Sequence, residues 1–579
     1  MRQSQPQPRA WANSVTLRAR PGLPRDRGGP GPEDANEDDQ DEGGDHQDGR
    51  QGTLLASKTT GSQSAASPRK PHVKRGKDRK PGTGTLTKAG SRKEEHDETL
   101  LAVKYSQSPS LLLEPDADEP YPLLPSFLPN GLVKRHLHNL PDVLAKLVSK
   151  AALTGNYGRS FASNVMASLS QHPAQLHAMI FAVMVHDRIQ QGVSNPTATE
   201  LMVGTEAIRH LNQEISDPDP KRALSDSNIW AVLVLAYSGR EDRIRSGQSY
   251  PRQSFLRELQ SIHIYLKMEI VIEHVLGLIK MMELLGDLHK IRTPGIAPVV
   301  SWCGIMGACR NIGRPIFPFI SHTTTFVRED GRLSVTKHER DAVATDLGQL
   351  GTGFWQVWDN TKNHSATAAA TTTTPTTPSY LADLLTVIQD ICDFTVVVEN
   401  HASGRWMPRT SPEIIDQRNF VQHKLMSLWS AEEFQNTTST ACGISADDDV
   451  QYETCRLACI IYSFIVVFPV PPVVGPFETL IDRLKRALQA TAWKDFEHPR
   501  LRLHLWILVM GAIASIGLPD RPWFLLRVME VLNEFDDIAE WNDLKALLKT
   551  FLWHPRTGDP DGLDIWKAVQ QGDDVLDTI

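Results

Sequence analysis

His186 and Asp187 stand side by side in a stretch whose apolar spacing is helical, residues 176–189, with His177 nine residues before His186. Such a dyad offers two of the ligands with which helical metal-dependent phosphohydrolases hold a cation that polarises phosphate and activates water. That chemistry also needs a further upstream His and a downstream Asp at helical positions. No set of residues here supplies them, so a polar helix edge is the expectation. The cysteines fall as Cys303-x5-Cys309, single Cys392 and Cys442, and Cys455-x3-Cys459. None of these spacings makes a zinc site, and Cys455 and Cys459, one turn apart beside Leu457, Ile460 and Ile461, read as a packed thiol pair. Gly82-Thr-Gly-Thr85 lacks the strand before and the helix after that let a glycine loop hold phosphates. Gly-x-Ser-x-Gly, His-Glu-x-x-His, Walker and Rossmann patterns are absent. No catalytic, cofactor-binding or metal residue is assigned, and no cofactor is expected.

One cluster has chemistry of another kind. Between residues 69 and 93 ten Lys/Arg stand against one Asp, after an acidic block at 33–48. The densest part is Arg69, Lys70, Lys74, Arg75, Lys77, Arg79 and Lys80. Clustered cations on a flexible segment suit the acidic groove of a nuclear import receptor and, more weakly, a phosphate backbone. Import is the preferred reading over nucleic-acid contact or a solvated tail.

The chain around these residues has 579 positions, 40% hydrophobic and 22% charged, which excludes a wholly disordered or collagen-like polypeptide. A net charge of −8 argues against a surface that grips nucleic acid throughout. Six cysteines, none before Cys303, are too few and scattered for a disulfide framework and point to a reducing, intracellular setting. No signal peptide is apparent, because the early arginines are interleaved with Gln and Pro rather than followed by an apolar region. The apolar runs 457–468 and 505–518 fall short of the roughly 18–20 residues a bilayer requires, so both are expected to be buried helices and no membrane partner is expected.

Residues 1–118 carry almost no apolar periodicity and are expected to form a long disordered N-terminal arm. From 119 to 579 apolar residues recur at helical spacing with Pro, Gly and Asp punctuation, which predicts an all-α, irregular multi-helical array. Ser225 caps a helix over 225–237, and Gly286 stops another over 270–285, whose apolar side is Val271, Leu278, Met281, Met282 and Leu285. Residues 335–378 lose the pattern and are expected to be a disordered insertion. Helices are predicted again at 380–398, 452–468, 477–488, 501–515, 523–535, 541–552 and 564–571. Tryptophans 302, 493, 506, 523, 541, 553 and 566 are expected as core anchors, around which an aromatic small-molecule pocket could form.

Several strings then fall in order: Pro173-Ala-Gln-Leu-His-Ala178; Ala-Leu-Ser-Asp-x-x-Ile-x-Ala-Val-x-x-Leu-Ala at 223–236; and His274-x-x-Gly-Leu-x-x-Met-Met-Glu-Leu-x-Gly286. Ile296-Ala-Pro-Val-Val-Ser-Trp302, Arg314-Pro-x-Phe-Pro318, Cys455-Arg-Leu-Ala458, Leu505-Trp-Ile-Leu-Val-Met-Gly511, Arg521-Pro-Trp-Phe524 and Phe551-Leu-Trp553 follow. Together, over most of 170–570, they resemble the helical regulatory domain of fungal-specific transcription factors. The resemblance implies a nuclear, non-enzymatic regulator that senses a small-molecule effector, self-associates or binds transcription-related proteins. It also implies that Gly277 permits close helix approach and that Arg314-Pro315 and Arg521-Pro522 begin extended turns. His177 and His274 are expected as hydrogen-bonded core or edge histidines. Zinc-bearing members carry six clustered cysteines ahead of this domain, opening Cys-x2-Cys-x6-Cys; this sequence has none there, so direct DNA reading through that module is not expected of the chain as given, and at most weak, non-specific nucleic-acid contact remains. The alternatives are the metal phosphohydrolase and a gene model lacking a zinc-cluster exon. Localisation is expected in the nucleus, with a cytoplasmic pool allowed.

Deleting residues 69–80 is expected to abolish nuclear accumulation of a fluorescent fusion of the full chain; an unchanged distribution in microscopy would refute the import role.

Overall fold

The computed structural model describes residues 171–241, 250–322, 335–365, 379–405, 411–437 and 446–572, with short helical pieces within 136–144 and 165–169. These lie in the unit Gln107–Ile579. The segment 1–118, its import run and residues 366–378 lie outside the described residues.

Among the described residues the regular elements are helices, apart from one isolated bridge between Glu241 and Met268. The fold is all-α and irregular, as the punctuated apolar spacing predicts. The first group is α1 (Pro173–Gln190), α2 (Ala198–Ile215), α3 (Asp226–Ala236), α4 (Ile272–Leu285) and α5 (Ile296–Asn311). Thr197 and Ser225 cap α2 and α3 by accepting from the N–H of Glu200 and Asn228. Gly286, at φ 85°, takes the left-handed turn that ends α4, whose Val275, Leu278, Met281 and Met282 are buried. The α1–α2 connection is closed by Arg188, whose Nε lies 3.0 Å from both carboxylate oxygens of Glu200 and whose Nη1 donates to the carbonyls of Val193 and Ser194.

The middle group is α6 (Thr352–Ser365), α7 (Ser379–Ala402) and α8 (Ser411–Ser427). Helix α8 buries Asp416, Gln417, Arg418, Asn419 and Gln422, an unusual load of polar side chains for one helix. Three of them reach three different segments. Asp416 accepts from the Ser321 hydroxyl and the His322 N–H, Arg418 donates to the Leu259 carbonyl, and Gln422 accepts from Ser463 Oγ.

The last group is α9 (Ala446–Ile465), α10 (Pro476–Gln489), α11 (His498–Ala514), α12 (Arg521–Leu532), α13 (Trp541–Leu548) and α14 (Pro555–Gln570). The two apolar runs of the sequence are interior: residues 455–468 and 505–515 are buried throughout. Among the described residues no helix is long and apolar enough to cross a membrane. Trp302, Trp506 and Trp553 are fully buried anchors, joined by Trp230, whereas Trp493, Trp523, Trp541 and Trp566 are half-buried around the core.

Four expectations need correction. The stretch 335–378 is ordered over its first part: helices Lys337–Asp341 and Ala344–Leu347 precede α6, and Val343, Leu347, Phe354 and Val357 are buried. Its apolar residues are too widely spaced to show a period, and packing of α6 on α11 supplies what local pattern lacks. Helix α14 starts at Pro555, well ahead of 564, and runs through Pro560, because Gly558 and Gly562 let its backbone lie against the indoles of Trp553 and Trp541. Pro522 opens α12 as an early helical residue rather than an extended turn. Gly277 is exposed with open space beside it, so it brings no helix close. Close approach belongs to Gly511 of α11, where an added Cβ would lie 2.2 Å from the Phe524 ring of α12.

Gly511→Ala is therefore expected to lose about 1–3 kcal/mol through overpacking, while Gly277→Ala, on an open helix face, gains up to about 1 kcal/mol. Denaturant melts of both variants check the pair; equal effects would contradict the packing.

Candidate functional site

Where α9, α11 and the start of α14 meet, a narrow recess of about 10 Å³, room for about one water, enters the domain. Its walls are nearly all apolar. Tyr462, Ile465 and Val466 come from α9 and its exit, Met510 and Ile513 from α11, and Trp553 from the segment entering α14. These positions face one space because α9 from Thr454 and α11 from Leu503 are buried all round and leave no outward stripe to turn toward solvent. The Tyr462 hydroxyl sits 3.0 Å from Thr395 Oγ1, whose own proton goes to the Ile391 carbonyl, and burial pushes the phenol well above its usual range. The Trp553 indole N–H donates to Asp559 Oδ1 at 2.9 Å. Aromatic rings thus offer their faces while their polar atoms are engaged elsewhere.

The polar side of the cleft is His554, Thr557 and Asp561. Asp561 accepts the Arg252 N–H at 2.8 Å, and burial raises its pKa. His554 precedes α14 and points Nε2 at Glu399 of α7, 3.1 Å away. A carboxylate only accepts, so Nε2 carries the proton of that bond. His554 Nδ1 lies 2.8 Å from Thr557 Oγ1. Glu399 also receives Arg556 Nε at 2.9 and 3.0 Å and the Ser403 hydroxyl at 2.7 Å. Burial alone would raise its pKa; the bonds from His554, Ser403 and Arg556 outweigh that and hold it down at about 2. Hydroxyl, imidazole and carboxylate stand in the order of a hydrolytic relay. Thr557 is nevertheless only 4% exposed, and the same turn is closed by the Thr557 and Gly558 N–H groups bonding to the His554 carbonyl, so helix initiation accounts for the geometry. The arrangement is a small apolar recess whose polar rim is tied rigidly to α7.

The residues singled out from the sequence lie elsewhere. His186 is fully buried with its ring 5.7 Å from Tyr265, while the adjacent Asp187 turns to Asn139 Nδ2 at 3.4 Å and His136 at 3.6 Å, so the dyad does not converge. His177 is buried, donates to the Pro173 carbonyl at 2.7 Å and lies tilted against His210, ring centroids 4.9 Å apart; His274 is half-buried on α4. Cys455 and Cys459 are packed thiols in α9, and burial raises the Cys459 pKa. Cys442 and the import run lie outside the described residues. Among the described residues no group of three or more His, Cys, Asp or Glu is placed to hold a metal ion. Glu399, His554 and Arg556 escape sequence reasoning because no local spacing links residues 155 positions apart. Compared with family models, curated proteins and solved structures, the chain matches none.

Glu399→Gln is expected to cost about 2 kcal/mol at neutral pH, since it removes charge-assisted bonds from a buried cluster. Glu399 has a folded-state pKa below its unfolded one, so the stability it contributes is present above about pH 4.5 and is lost toward pH 2. Urea melts from pH 7 downward should show wild type and variant converging in that window; a constant gap would contradict the assigned ionisation.

Proposed function

We propose that this chain is a non-enzymatic, transcription-regulator-like nuclear protein whose helical domain binds a small effector or a partner protein, with residues 69–80 serving import. One observation carries the reading: four of the strings that make the sequence resemble a fungal regulatory domain, those within 455–553, pack together in one helical group. Met510 and Gly511 end the string 505–511, with Met510 in the cleft wall and Gly511 under Phe524 of the string 521–524. Trp506 Nε1 donates to the Leu552 carbonyl within 551–553, and Trp553 completes the wall. Cys455-Arg-Leu-Ala458 lies one to two turns before Tyr462 on α9. Strings packed in this way serve one helical module, which supports reading them as parts of a single regulatory unit.

On this reading the domain works without a bound cofactor and reaches DNA through transcription-related partners, the basic run adding only salt-sensitive contact. Tethering the full chain to a heterologous DNA-binding domain at a reporter promoter is expected to change output several-fold, up or down. An inert fusion across growth conditions, or turnover of a substrate by the purified protein, would overturn the proposal.

A further inference from the structure

Helices α1 and α2 meet through two histidines. His177 of α1 is 2% exposed, and the ring of the half-buried His210 of α2 lies against it, centroids 4.9 Å apart. His177 Nδ1 donates to the Pro173 carbonyl at 2.7 Å, and His210 Nε2 lies 2.8 Å from Arg209 Nη2. A guanidinium only donates, so Nε2 is the lone-pair nitrogen, and that bond exists only while the His210 ring is neutral. The charges facing both rings come from α2 itself. They are Arg209 and Glu206, whose Oε2 accepts from Arg209 at 2.8 Å and stands 3.9 Å from His210 Nε2. Charges on the surrounding elements are engaged elsewhere. Glu214 accepts the Ala174 N–H, Arg188 is tied to Glu200, and Asp187 faces His136. Asp226 of α3 accepts from the backbone of residues 292–293, and Arg222 ahead of it pairs with Asp217.

We propose that this histidine pair is an acid-sensitive latch, which at neutral pH keeps the C-terminal half of α2 on α1 and on protonation releases it, uncovering Ala207 and Leu211. A proton on His210 breaks the Arg209 bond and sets an imidazolium beside a guanidinium. A second proton, on His177, puts a buried cation against both, and Glu206, already bonded to Arg209, does not neutralise all three. Burial lowers both histidine pKa values; at His210 the charges of His177 and Arg209 add to that and Glu206 opposes it. The released segment therefore binds more protons than the docked one. Docking is favoured in full above about pH 6.5 and weakens as pH falls toward the lowered values. Opening stays local, because α2 packs chiefly on α1 and α3 and leaves Leu201, Met202 and Ile208 exposed on its other side. The latch is remote from the recess beside Trp553 and does not depend on the function proposed above.

Hydrogen–deuterium exchange of the full chain, corrected for intrinsic rates and compared at about pH 7.5 and about pH 5.5, tests the latch. Protection of the amides of 207–215 is expected to fall several-fold at the lower pH while that of 505–515 holds. His210→Gln, which keeps an acceptor for Arg209 without a titrating ring, should lessen the fall, and combining it with His177→Asn should abolish it. Because His210 is only half-buried, the single variant decides the matter if the double one does not fold. Constant protection of 207–215 in the wild type, a fall shared equally by 505–515, or a fall unchanged by His210→Gln would each overturn the proposal.

Discussion

A guanidinium held entirely inside the protein sets the terms for the middle of this fold. Arg418 of α8 is fully buried, and burial lowers its pKa to about 9, with Asp416 opposing the shift. Desolvating a cation is costly unless every donor is used. Arg418 donates to the Leu259 carbonyl, the Gln260 side-chain oxygen and Asn419 Oδ1, and its plane lies over the Phe468 ring. Meeting those donors dictates the loop before residues 262–265. Gln260 and Ser261 take left-handed backbone angles, φ 59° and 52°, which cost non-glycine residues about 1–3 kcal/mol each. The strain persists because the alternative is an unpaired buried charge.

The same helix ties the first and last groups together. From α8, Gln422 reaches Cys309 of α5 on one side and Ser463 of α9 on the other, and Lys424 pairs with Asp390 of α7. Polar bonds in a low-dielectric interior are directional, so α8 fixes register where apolar packing alone would tolerate sliding. That rigidity passes to the cleft. α9 presents Tyr462 one residue before the Ser463 anchor, and α7, held by Lys424, carries Glu399 to His554. The cleft is thus apolar inside and framed by ionic and hydrogen-bonded ties. Such a frame holds α7, α9 and the start of α14 in register around the buried Met510.

Helix positions were legible where capping and period agree. Ser225 and Gly286 mark ends that the structure keeps, and the runs 457–468 and 505–518 were readable as interior because no polar face interrupts them. Residues 337–358 and the start of α14 were not, since widely spaced apolar residues, Gly348, Gly351, Gly558 and Pro560 read locally as linker. The cleft was legible only as an expectation that some tryptophan would line a cavity. Of those tryptophans Trp553 alone borders this recess, which has room for about one water and not for the small molecule expected.

What the sequence determined by itself is the all-helical class, most of the helices and their buried stripes, because capping, glycine stops and apolar period are properties of neighbours in the chain. Which residues meet was decided by tertiary structure alone. Glu399 with His554, Gly511 with Phe524, and Arg418 with the carbonyl of Leu259 are pairings across long separations, and nothing in local spacing encodes them. Burial converts an ordinary glutamate or arginine into a structural tie, since a polar group loses water before it gains its partner. Desolvation is a property of the packed whole.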